Sequence, residues 1–266
     1  MNEDLDELRR KKAFVLDMDG TFYLGNQLIR GALEFIRQLK SQQKEPVFFT
    51  NNSSHSRAFY QQKIQRMGLD DHEVPVYTAG DVLAYYLHRE HPGAKVYVVG
   101  TDSLAESLRG HGIILANQDV DVVAVGFDTS LVYQKIENAC TLLRLGAAFI
   151  ATNPDLNCPV EKGFLPDCGS ICAMIEAATG KKPFYLGKPF SPALEYLVAQ
   201  TGFRPAEMVI VGDRLYTDIA FGQKYGITTV LVLSGETSRK DLQEEKNAVY
   251  QPTFVLPSLR ELAAIL

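Results

Sequence analysis

Short apolar runs and amphipathic stretches alternate almost from end to end of this chain, and that alternation restricts it to few architectures. Ala13–Asp17 is apolar with a polar end, the pattern of a buried strand. Phe22–Leu24 and Gln27–Ile29 flank Gly25-Asn26, which predicts a small hairpin. Ala32, Phe35, Ile36 and Leu39 fall on one face of a helix. Pro46–Thr50 predicts a second strand, and Ser54–Met67 a second helix closed by Gly68. Strand–helix–strand–helix order implies an α/β fold with parallel strands and helices packed on the sheet.

A second block begins near Val76. Helices are expected over Asp81–His88, Ser103–Arg109, Leu131–Leu145 and Gly169–Ala178, with strands at Lys95–Val99, Asp121–Gly126 and Ala147–Ala151. The last block repeats the first pattern. Tyr185–Leu186 leads into Gly187-Lys188-Pro189, and Ser191-Pro192 is a strong helix start. Met208–Val211 predicts a strand ending at Gly212-Asp213, followed by a helix over Tyr216–Tyr225. Thr228–Leu233 and an edge strand at Thr253–Leu256 precede a closing helix, Leu259–Leu266. The middle block therefore reads as an insertion: 1–76 and 185–266 form one domain, and 77–184 a second of ordinary domain size.

Composition narrows the function classes. A net charge of −5 argues against a nucleic-acid or anionic-membrane surface. The four cysteines, Cys140, Cys158, Cys168 and Cys172, form no Cys-x-x-Cys pair and have no paired histidines, which argues against a zinc site and for reduced thiols. The N-terminal residues are charged, with no signal-type apolar segment, and no apolar run is long enough to span a bilayer. A cytoplasmic protein is expected.

The chemistry-bearing residues sit where strands should end. In open parallel sheets, ligands bind at the carboxyl ends of the strands. Asp17 and Asp19 follow the first strand, Thr50 and Asn51 the second, and Asp213 a later one. A carboxylate such as Asp17 can attack phosphorus, and Asp19 can give and take the proton this requires. A phosphate dianion repels an approaching carboxylate, so a cation must bridge them. Mg²⁺ takes hard oxygen ligands, which Asp17, Asp213 and the backbone carbonyl of Asp19 can supply. Lys188 can neutralise remaining charge, while Thr50 offers a hydroxyl and Asn51 an amide to phosphate oxygens. Both are expected beside a helix N-terminus, which attracts anions. Gly20 permits a tight turn, and Thr21 can hydrogen-bond the Asp19 side chain. Taken singly, each has a plainer explanation. Asp17, Asp19-Gly20 and Gly212-Asp213 suit turns, Thr50–Ser53 suits a helix cap, Lys188 suits the surface, and Asp218 suits a helix face.

Four motifs in order resemble the haloacid dehalogenase superfamily, and specifically its NagD-like phosphatases. They are Asp17-Met18-Asp19-Gly20-Thr21, Thr50-Asn51-Asn52, Gly187-Lys188-Pro189, and Gly212-Asp213-Arg214-Leu215-Tyr216-Thr217-Asp218. Phe22-Tyr23-Leu24 and Ala151-Thr152-Asn153-Pro154-Asp155 fit as well. The resemblance implies a Rossmann-like core with an α/β cap inserted between the second and third motifs (a class IIA cap). Dehalogenases lack an acid/base aspartate at the place of Asp19, so its presence implies phosphatase or phosphomutase chemistry.

The mechanism so implied is an aspartyl-phosphate on Asp17, with Asp19 as acid and then base. Mg²⁺ is held by Asp213, and Asp218 supports the metal or orients Lys188. Asn153, Asp155 and Asn157 are candidates for cap residues that set selectivity. A small phosphorylated metabolite is the expected partner: a nucleotide, a sugar phosphate or a 4-nitrophenyl phosphate type of ester. Caps of this branch can also mediate a homodimer. Competing readings are a phosphotransferase or phosphomutase, and a non-catalytic phospholigand sensor. Intact Asp17, Asp19, Lys188 and Asp213 argue against the sensor, which needs no nucleophile. A response-regulator receiver would be far shorter and would not need Asp19.

Overall fold

The computed structural model describes residues 2–70, 74–160 and 163–266. Its strands are β1 (Ala13–Leu16), β2 (Tyr23–Leu24), β3 (Gln27–Leu28), β4 (Glu45–Thr50), β5 (Val76–Thr78), β6 (Lys95–Val99), β7 (Ile114–Leu115) and β8 (Val122–Val125). They continue with β9 (Ala148–Ala151), β10 (Asn157–Val160), β11 (Gly163–Pro166), β12 (Phe184–Tyr185), β13 (Met208–Gly212), β14 (Thr228–Val232) and β15 (Phe254–Leu256).

The chain divides into two compact units. The first comprises Met1–Thr50, Gln61–Tyr77 and Leu197–Leu266, and the second Asn51–Tyr60 and Thr78–Tyr196. The first is built on a six-stranded sheet of order β15-β14-β13-β1-β4-β5. β1 runs parallel to β13 on one side (Leu16 opposite Val211) and to β4 on the other (Leu16 opposite Phe48). All residues of β1, β13 and β14 are buried, as expected of strands covered on both faces. From β1 the chain moves outward to β4 and β5, then returns to β13 on the opposite side. The strand order therefore reverses between β1 and β13, where an open sheet leaves a crevice for ligands at the carboxyl ends.

The helix Ala32–Ser41 buries Ala32, Phe35, Ile36 and Leu39, the face its spacing predicts. Gly25-Asn26 closes the antiparallel β2–β3 hairpin. The helix expected from Ser54 begins only at Arg57. Asn52 Oδ1 accepts hydrogen bonds from the Ser54 N–H (2.9 Å) and hydroxyl (2.7 Å), and this local turn competes with helix. The helix expected over Tyr216–Tyr225 opens instead with a wide π-type turn, Leu215–Ile219, and becomes α-helical over Ala220–Tyr225.

The second unit carries a five-stranded sheet of order β12-β9-β8-β6-β7, parallel throughout. A core of Val99, Val123, Val125, Ala151, Ile171 and Ile175 lies under the helices Tyr133–Arg144 and Cys168–Thr179. Leu131, expected within the first of these helices, precedes it. All four cysteines are buried free thiols. Among the described residues no helix is long and apolar enough to cross a membrane.

Candidate active site

The crevice between β1 and β13 is where the acidic residues meet. The Asp17 N–H donates to Val211 O at 2.9 Å, so the β1–β13 ladder holds the chain up to Asp17 itself. Asp213 leaves the end of β13. Asp17, Asp213 and Asp218 each place a carboxylate oxygen within 4.8 Å of the others. Two of the three, Asp213 and Asp218, are buried outright.

Glycines make room for this cluster. A methyl group on Gly20 or Gly235 would come within 2.4 or 2.0 Å of Asp213 Oδ2. Gly20 also adopts φ +84°, which only glycine takes without strain. Gly212 leaves the space into which the Asp218 side chain folds back, and the wide turn at Leu215–Ile219 carries Asp218 there. Such turns are frequent at functional sites.

Burial and mutual repulsion make the cluster a place that favours a cation. Burial, and then the charge of Asp17, push the Asp213 carboxyl well above the usual carboxylate range. Asp213 Oδ2 accepts the Glu236 N–H at 2.6 Å, while the buried Oδ1 has no hydrogen-bond partner among the described residues. Close hard oxygens with one unsatisfied buried carboxylate atom suit a divalent ion such as Mg²⁺.

Asp19 stands beside this cluster and does not join it with its carboxylate. Burial raises its carboxyl above the ordinary value, against the opposing charges of Lys63 and Arg214 and the hydrogen bond from Tyr23. Tyr23 Oη donates to Asp19 Oδ2 at 3.4 Å. The hydrogen bond expected from Thr21 to Asp19 is not made. Thr21 Oγ1 is buried with no partner among the described residues, and the Asp19 oxygen is met by Tyr23 instead. Arg214 forms an ion pair with Glu236 at 3.0 Å. Thr50 ends β4 and is buried.

Asn51 and Lys188 belong to the second unit, at the carboxyl end of its sheet. Leu186 and Gly187 extend the ladder past β12 through bonds to Ala151 O (3.0 Å) and Thr152 O (2.7 Å). Asn51 then clamps the next residue: its Oδ1 accepts the Lys188 N–H and its Nδ2 donates to Lys188 O, both at 2.9 Å. The second Nδ2 hydrogen reaches Asp155 Oδ2 at 3.2 Å. The Asn51 amide, expected to face phosphate, is thus committed to holding Lys188. Asn153 and Asp155 are buried, and Asn153 Nδ2 donates to Asn51 O at 2.8 Å. They back the clamp, while Asn157 is exposed at the start of β10. The Lys188 side chain is buried, unlike an ordinary surface lysine.

Residues 14–114 match the family described as haloacid dehalogenase-like hydrolase, and residues 185–262 one described as HAD-hydrolase-like. A Bacillus subtilis protein named 5'-nucleotidase YutF is 33% identical over 254 residues, covering 96% of this chain and 98% of its own. The chain belongs to the haloacid dehalogenase-like hydrolases. Within them it is a NagD-like phosphatase. The Staphylococcus aureus acid sugar phosphatase is 34% identical over 97% of the chain and 98% of its own. Among solved structures, the 4-nitrophenylphosphatase of Thermotoga maritima is 41% identical, with TM-score 0.91 over 97% of this chain and 98% of its own. Escherichia coli NagD is 34% identical, with TM-score 0.84 over 94% and 98%. The glycerol phosphate phosphatase of Mycobacterium tuberculosis, solved in complex with magnesium, is 30% identical, with TM-score 0.83 over 95% and 76%. Haloacid dehalogenase-like architecture accounts for the parallel sheet and its strand-end aspartates.

Proposed function

We propose that this chain is a Mg²⁺-dependent phosphatase that hydrolyses small phosphomonoesters through an aspartyl-phosphate on Asp17. The observation that carries the reading is the buried Asp17–Asp213–Asp218 cluster at the reversal of strand order, with Asp213 Oδ1 unsatisfied. Asp17, Asp213 and the Asp19 carbonyl would hold the ion, with Asp218 supporting them. When bound, Mg²⁺ screens the phosphoryl charge from the attacking carboxylate. Asp17 attacks phosphorus, and the ester P–O bond breaks as the Asp17–phosphorus bond forms. Asp19, its carboxyl raised by burial, donates a proton to the leaving alkoxide. Deprotonated, it takes a proton from the water that cleaves the aspartyl-phosphate, releasing inorganic phosphate and restoring both residues. Thr50 and Lys188 bind phosphoryl oxygens, and Asn51 holds Lys188 in place.

Residues 77–184 act as the cap in this reading; nearly all of the described ones fall in the second compact unit. The relatives are named as a 5'-nucleotidase, an acid sugar phosphatase, a glycerol phosphate phosphatase and a 4-nitrophenylphosphatase. A dissolved phosphorylated metabolite is therefore the proposed partner, neither nucleic acid nor membrane. Four free thiols suit a cytoplasmic setting, and the family resemblance allows a homodimer.

A panel of metabolite phosphates, assayed for inorganic phosphate release with Mg²⁺ and with EDTA, tests the proposal. Metal-dependent release that vanishes in Asp17→Asn is expected, with the variant still folded. Undiminished turnover by Asp17→Asn overturns it. Transfer to a second alcohol in place of phosphate release favours a phosphotransferase, and binding without turnover favours a sensor.

A further inference from the structure

We propose that Tyr23, backed by Lys63, is a positioning residue that fixes which oxygen of Asp19 carries the transferable proton. The inference rests on the proposed role of Asp19 as acid. Tyr23 is fully buried, and it is tied to Asp19 twice. Its backbone forms a bridge with Asp19, with the Gly20 N–H donating to Tyr23 O at 2.8 Å. Its phenol donates to Asp19 Oδ2. A hydroxyl that donates to Oδ2 favours a carboxylic acid whose proton resides on Oδ1. The acid then has one delivering atom instead of two, in one orientation.

Lys63 strengthens this arrangement. Its ammonium lies 3.6 Å from the Tyr23 ring centroid, within cation–π range. A cation over a phenol ring draws electron density from it and makes the O–H a better donor. Lys63 reaches the ring from the helix Arg57–Arg66, so a residue remote in sequence braces the acid.

Leaving-group chemistry separates this role from simple packing. An alkyl phosphate releases a basic alkoxide that needs a proton from Asp19. A 4-nitrophenyl phosphate releases a stable phenolate that needs little help. kcat/KM covers only the steps through departure of the leaving group, so later cleavage of the aspartyl-phosphate does not blur it. Tyr23→Phe keeps the buried ring and removes one oxygen. We expect about a tenfold loss of kcat/KM for glycerol 3-phosphate, part of a general acid's contribution, and roughly unchanged kcat/KM for 4-nitrophenyl phosphate. Lys63→Met, which keeps the stem, should give a smaller loss in the same direction. The losses of the two single variants should add only in part in the Tyr23→Phe/Lys63→Met double variant, because Lys63 acts partly through the hydroxyl and partly through its own charge on Asp19. Equal losses on both esters, or no loss on either, overturn the inference while leaving the phosphatase reading intact. A wild-type chain that releases no phosphate from either ester overturns both.

Discussion

The Asp218 side chain lies in the space that a Gly212 side chain would need: a methyl group there would come within 2.2 Å of the Asp218 carboxyl carbon. This contact couples the end of β13 to the wide turn that follows it and brings a third carboxylate toward Asp17 and Asp213. Neither partner can yield easily, because both are buried. Gly212→Ala should therefore push Asp218 out of the cluster and cost roughly 1–3 kcal/mol, the usual penalty for overpacking. Thermal unfolding should show the loss, and Mg²⁺ titration should show weakened binding. A variant with unchanged Tm and metal affinity would mean that Asp218 does not need that space.

Three clustered carboxylates in a buried crevice repel one another, and a divalent cation relieves that repulsion only in the folded state. Mg²⁺ should therefore raise Tm, by the equivalent of about 2.7 kcal/mol at a hundredfold excess over its Kd. Asp213→Asn removes both the ligand and part of the repulsion. Without metal it should unfold at the same temperature as the wild type or higher, since burial disfavours the ionised Asp213. With metal, the added stability should largely vanish. Differential scanning calorimetry with Mg²⁺ and with EDTA reads both effects, and an undiminished Mg²⁺ shift in Asp213→Asn would remove Asp213 from the site.

Much of this site could be read from sequence because its parts are local. An apolar run that stops at an aspartate marks a strand end, and Asp17 and Asp213 both follow that rule. Asp218 obeyed no such rule: helical spacing gives it an exposed face, and only the π-type turn folds it back over Gly212. The clamp of Asn51 on Lys188 joins residues 137 positions apart, which no local pattern reports. The contact of Lys63 with the Tyr23 ring is equally invisible to any local pattern. The β10–β11 hairpin gives no strand signal in the sequence, because Asn157–Val160 and Gly163–Pro166 each contain a proline. The N-terminal helix Asn2–Arg10 was hidden by its charge; among its described side chains, only Leu8 is fully buried.

Glu207 supplies a pH-dependent element away from the site. Its carboxylate accepts Lys12 Nζ at 2.8 Å and Arg204 Nε and N at 3.1 Å, hydrogen bonds that lower it to about 2. A depressed carboxyl stabilises the fold above its unfolded value, about 4.3. That contribution fades as pH falls toward the folded value. Glu207 is only partly exposed, but its partners Lys12 and Arg204 are exposed, so the effect is small. Glu207→Gln should lower Tm slightly at neutral pH, and the difference from wild type should shrink steadily below about pH 4. A gap that stays constant down to about pH 2 would assign the loss to packing rather than to charge.

Asn51 offers a sharper test, because its two ends face opposite demands. Its Oδ1 meets a donor, the Lys188 N–H, and its Nδ2 meets two acceptors, Lys188 O and Asp155 Oδ2. Asn51→Ala leaves those buried groups unpaired and should cost roughly 1–3 kcal/mol. Asn51→Asp is nearly isosteric, yet it turns a carboxylate oxygen toward a carbonyl and a second carboxylate. It should therefore be the more damaging of the two, although it changes shape less. If Lys188 acts on the phosphoryl group, both variants should also lower kcat more than their stability loss explains at a temperature where each is folded. Unfolding curves and steady-state rates on 4-nitrophenyl phosphate decide the order. An Asn51→Asp variant as stable as wild type would show that the amide does not hold the Lys188 peptide in the way these hydrogen bonds require.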